Sequence, residues 1–110
     1  YTYFDIAPGA PDTQAPTIPA SVSAFSRTNS AITLQWNAST DNEGVRSYEI
    51  TRGGTVIGTT SKPYYADRGL TAQTVYSYSV KAIDFSGNKS AASSAVSVAT
   101  VGTLNAYNVD

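Results

Sequence analysis

The chain has 110 residues, enough for one ordinary domain and too few for two. Seven Lys and Arg against eight Asp and Glu leave a formal charge of −1, no electrostatic footprint for nucleic acid or anionic lipid. His, Cys and Met are all absent, so a catalyst built from this chain's own residues has neither imidazole nor thiolate and falls back on carboxylates, Lys, Tyr or Ser.

Charged residues make up 14% of the chain against about 25% in an average domain, and Ser and Thr supply the polar balance. A hydrophobic fraction of 41% supports one core. No apolar run approaches the roughly 18 residues of a membrane span. Without Cys, no disulfide points to either redox compartment. The chain begins at Tyr1 with neither Met nor a charged-then-apolar leader, and is expected to be part of something longer.

In chain order, Tyr1, Tyr3, Phe4 and Ile6 form an aromatic scrap, either the last strand of a neighbouring module or a frayed end. Pro8, Pro11, Pro16 and Pro19 follow; fixed φ and missing donors predict an extended, semi-stiff connector. Residues 1–15 are therefore assigned to a tail and linker. From Pro19 the pattern becomes alternation. Val22 and Ala24 begin a first strand. Ile32, Leu34 and Trp36 alternate with Thr33, Gln35 and Asn37, the period of a strand buried on one face. After a loop over 39–44, Tyr48 and Ile50 alternate with polar neighbours, and Gly53-Gly54 turns the chain.

Val56 and Ile57 predict a short fourth strand and Tyr65 a fifth, ahead of a turn at Asp67-Arg68-Gly69. The longest strand carries Tyr76, Tyr78, Val80 and Ala82 inward, with Ser77, Ser79, Lys81 and Ile83 outward. A turn at Asp84 to Asn88 precedes a last strand with Val96 and Val98. No segment has helical spacing. Seven short strands between regular turn signals predict an all-β, seven-stranded Greek-key β-sandwich of immunoglobulin-like type.

Several motifs then coincide in order: Ile32 to Trp36, Tyr48 to Ile50, Leu70 six residues before Tyr76, and Tyr76 to Ala82. Together they resemble a fibronectin type III domain over about residues 16–100. Ala38 to Val45 and Asp84 to Ser90 resemble the subtype found between modules of secreted bacterial chitinases and related depolymerases. The resemblance implies a core of Trp36, Leu34, Ile32, Tyr48, Ile50, Leu70, Tyr76, Tyr78 and Val80. It also implies a tyrosine corner at Tyr76, its hydroxyl bonded to a buried backbone group between Leu70 and Ala72. Residues 101–110 read as a tail or the start of another module.

No catalytic, cofactor or metal residue is assigned. Asp41 and Glu43 lie in a turn-forming cluster with Asn42 and Gly44, where Asp more often closes an Asx-turn than moves protons. Asp84 and Asn88 are expected at an opposite or offset end of the sandwich from that loop, and the spacing fits no calcium loop. Arg-Gly-Asp is absent. Outward positions Thr33, Gln35, Asn37, Ser47, Glu49, Thr51, Ser77, Ser79 and Lys81 carry no aromatic, so a sugar-stacking platform is expected to be missing. Tyr64 and Phe85, on different turns, are the candidate ligand contacts, and Ile83 joins them as a candidate contact with an adjoining module.

The resemblance therefore implies a non-catalytic, extracellular spacer. Its expected partners are the catalytic and carbohydrate-binding modules of its own chain, and a polysaccharide surface. The domain is expected to be a monomer that binds neither nucleic acid nor membrane. The alternative is a weak glycan- or protein-binding module.

Overall fold

The structure, a computed structural model, describes residues 13–102. Strands β1 (Ala20–Arg27), β2 (Ala31–Asn37) and β5 (Tyr64–Arg68) form a three-stranded sheet in the order β1-β2-β5. Strands β3 (Val45–Arg52), β4 (Thr55–Thr60), β6 (Val75–Asp84) and β7 (Val96–Ala99) form a four-stranded sheet in the order β4-β3-β6-β7. All pairings are antiparallel. The expected all-β sandwich is the observed architecture. The scrap at Tyr1–Ile6 and the tail beyond residue 102 lie outside the described residues.

Alternation builds the core. Ile32, Leu34 and Trp36 of β2 face Tyr48 and Ile50 of β3 and Tyr78, Val80 and Ala82 of β6, all buried, with Val98 of β7 closing the cluster. Trp36 meets Tyr48 edge-on, ring centroids 5.3 Å apart at 67°, the arrangement that ring quadrupoles favour. The Tyr48 hydroxyl accepts from the backbone N–H of Ser39 at 2.9 Å, holding the loop after β2 against the core. Leu70 and Tyr76 are half-buried and pack on the margin of the cluster rather than inside it.

Turn chemistry fixes the register. Gly53 and Gly54 have φ of +57° and +85° between β3 and β4, the two successive left-handed residues that a tight hairpin requires. Gly58 serves a different need: a Cβ there would collide with the Tyr65 ring, whose hydroxyl donates to the Ile57 carbonyl at 3.4 Å. The edge of one sheet thus closes against the other.

Two positions depart from the sequence expectation. Ile83, expected outward, is only 5% exposed. The chain returning from the next turn pairs Lys89 with Ile83, and Lys89 reaches Glu49 on the same outward face at 2.8 Å. A contact with an adjoining module through Ile83 is thereby excluded. Asp67, expected in a turn, instead belongs to β5 and is buried.

Candidate functional site

Asp41, in the loop over 39–44, performs turn chemistry. Its Oδ2 accepts from the Glu43 N–H at 3.0 Å and the Asp41 carbonyl from the Gly44 N–H at 3.3 Å. Asp84 is fully buried: Oδ1 accepts from the N–H groups of Ser86 and Asn88 at 2.9 and 2.8 Å, and Oδ2 from Asn88 Nδ2 at 2.9 Å. The two loops nevertheless lie at one end of the sandwich, not at opposite or offset ends. Val45 pairs with Asp84, and the Phe85 ring lies where a Cβ on Gly44 would touch it at 3.4 Å. Adjacent strands β3 and β6 must bring these loops together. Among the described residues no group of three or more Asp or Glu is arranged to hold a metal ion.

A charged cluster lies between the sheets. Asp67 of β5 accepts from Arg52 Nη1 of β3 at 2.8 and 2.9 Å, and from the Tyr78 hydroxyl of β6 at 2.6 Å. The Arg52 guanidinium also stands 5.6 Å from the centre of the Tyr76 ring. Burial and then the bond to Asp67 push the Tyr78 phenol up, and the bond to Asp67 raises Arg52. Both Asp67 oxygens are engaged, so the group is a clasp across the sandwich rather than an acid or base facing a substrate. Sequence reading missed it, although Asp67 lies two residues past Tyr65, the spacing of one strand face.

The tyrosine corner forms as the resemblance implied in position but not in burial. Tyr76 accepts from the Thr71 N–H at 2.9 Å, and Thr71 is exposed.

Exposed aromatics converge where the sequence placed none. Tyr64 opens β5 and is 53% exposed; Phe25, on β1, is 68% exposed. Both flank the outward residues of β2, because Gln35 pairs with Tyr64 and the β1–β2 register slips by one residue between Ala24 and Ser26. That bulge makes Phe25 the extra residue. With Thr33, Gln35, Trp36 and Pro63 they line an open cavity of about 470 Å³. Outward aromatic side chains are therefore present on this sheet, which corrects the expectation of none. Phe85, 63% exposed, is at the end of the sandwich, apart from this groove.

The chain enters and leaves at opposite ends. Thr17 donates to the Thr40 carbonyl at 2.9 Å, beside the loop over 39–44. Val101 donates to Thr28 at 3.0 Å and accepts from Gln73 at 3.2 Å, at the end carrying the β1–β2 and β5–β6 turns.

No protein-family model matches the chain. Exoglucanase B of Cellulomonas fimi is 49% identical over 92 residues, which cover 82% of this chain and 8% of the relative. The solved chitinase ChiA74 from Bacillus thuringiensis superposes with a TM-score of 0.79 and 34% identity, over 84% of this chain and 14% of that one. A fibronectin type III domain of a human protein superposes with a TM-score of 0.73 at 22% identity, covering 91% of this chain and 99% of that domain. The chain thus spans a small fraction of the enzymes it matches and the whole of an isolated sandwich.

Proposed function

The chain folds as a fibronectin type III domain, and from that premise we propose that it is a non-catalytic spacer, residues 16–100, in an extracellular multidomain enzyme acting on polysaccharide. The observation that carries this reading is entry and exit at opposite ends of a sandwich whose sheets are clasped together. Such a body sets separation and orientation between the module before it and the module after it. Separation matters because the effective concentration of a second module at an insoluble surface depends on the reach and stiffness of what joins them. The match to segments of an exoglucanase and a chitinase supports the polysaccharide context. The engagement of Asp41, Asp67 and Asp84 in local bonds supports a role without bond-making chemistry.

Replacing residues 16–100 in the parent enzyme by a Gly/Ser linker of matched mean span tests the reading. The expected result is an unchanged rate on soluble oligosaccharide and a reduced rate on the insoluble polymer. Equal rates on the polymer would overturn the spacer role.

A further inference from the structure

We propose that the outer face of the three-stranded sheet is a shallow groove for a neutral glycan, with Phe25 and Tyr64 stacking on pyranose faces and Gln35 and Thr33 bonding to hydroxyls between them.

Three observations lead there. The first is placement. Two of the exposed large aromatics flank one strand, and Phe25 is there because a bulge inserts it against the register of β2. Bulges re-aim side chains, and this one presents Phe25 on the sheet's outer face, 68% exposed. The second is spacing. With β2 between them, Phe25 and Tyr64 are separated by two strand intervals, about 10 Å, close to the length of a disaccharide.

The third is charge. The groove is lined by Phe25, Thr33, Gln35, Trp36, Pro63 and Tyr64, with no ionisable acid or base that is charged at neutral pH. A nucleic acid or acidic polymer would find no cation there. An uncharged chain of pyranose rings matches the lining, apolar ring faces against aromatic rings and hydroxyls against an amide and a hydroxyl. The choice of glycan as occupant rests on the accessory reading above; the existence of the groove does not.

The test uses the 110-residue chain in nitrogen-15-edited NMR titrations with cellohexaose, chitohexaose and maltohexaose, alongside Phe25→Ala, Tyr64→Ala and, as a control outside the groove, Phe85→Ala. Both groove side chains are exposed, so the variants are expected to fold, which their spectra verify. The expected result is saturable shifts confined to residues around Phe25, Thr33, Gln35 and Tyr64 with at least one hexasaccharide. Either groove substitution should weaken binding about tenfold or more, consistent with the loss of one stacked ring, while Phe85→Ala leaves it unchanged. Absence of shifts with all three sugars, shifts centred on Phe85, or binding that survives the groove substitutions would overturn the proposal. So would shifts at Phe25 and Tyr64 that follow protein concentration without sugar, which would assign the face to a second copy of the chain. If the groove fails but the linker exchange still lowers hydrolysis of the polymer, the spacer reading stands alone.

Discussion

The Tyr78 hydroxyl donates to Asp67 Oδ2 at 2.6 Å across the sandwich, from the long strand β6 to the short edge strand β5. Asp67 receives Arg52 on the same carboxylate, so one acidic side chain joins β5 to both central strands of the opposite sheet. The apolar core packs the two layers together. This clasp additionally fixes how β5 sits on its partner.

Asp67→Ala is expected to destabilise the domain by about 2–3 kcal/mol, because the Tyr78 hydroxyl is left buried without an acceptor. Arg52 is a third exposed and can turn to water, which keeps the loss below that of a fully buried pair. Urea denaturation reads the change; a midpoint within error of the parent would remove the clasp from the account.

The same pair makes stability fall in alkali. Tyr78 has its phenol pKa raised by burial and by Asp67, so the unfolded chain gives up this proton first, from about pH 10. The folded state then binds more protons than the unfolded one, and stability declines as pH rises beyond that point. Its contribution is complete below pH 10 and disappears as the pH climbs through the folded value. Tyr78→Phe, less stable at pH 7, should therefore close its gap to the parent above pH 10. A gap constant with pH would contradict this.

Tyr76→Phe should cost only about 0.5–1 kcal/mol. The Thr71 N–H that it releases is on an exposed residue, where water substitutes for the lost acceptor. Amide exchange at Thr71 should accelerate in the variant; a loss of several kcal/mol would show that the corner holds the sheets in a way its exposure does not suggest.

Gly58→Ala is expected to cost about 1–3 kcal/mol, since a new methyl group would overlap the Tyr65 ring at the edge where β4 faces β5. Pairing the substitution with Tyr65→Leu should recover part of the loss. Additive losses in the double variant would count against that contact.

Much of this was legible beforehand because the core obeys a period of two. Ile32, Leu34 and Trp36 on one strand, and Tyr78, Val80 and Ala82 on another, announce both the strands and the buried face, and Gly53-Gly54 announces the hairpin. What resisted reading was whatever breaks the period or depends on a neighbouring strand. Phe25 is outward through a bulge whose register is visible only when β1 is paired with β2. Ile83 is covered by a chain segment that returns after a turn. Asp67 looked like a turn residue because Asp-Arg-Gly is turn-rich, and its partners Arg52 and Tyr78 come from two other strands. The groove and the clasp are both of this kind: their members are distant in sequence.

Pulsed electron–electron distance measurement between spin labels on one module joined before the domain and one joined after it tests the central claim most directly. The chain has no cysteine of its own, so labels can be directed to single introduced thiols outside it. The account predicts one narrow distance peak for the parent. It also predicts a broad distribution once Trp36→Ala, expected to cost about 3–5 kcal/mol, loosens the core. A parent distribution as broad as that of a Gly/Ser linker would contradict a spacer that works by holding its neighbours apart.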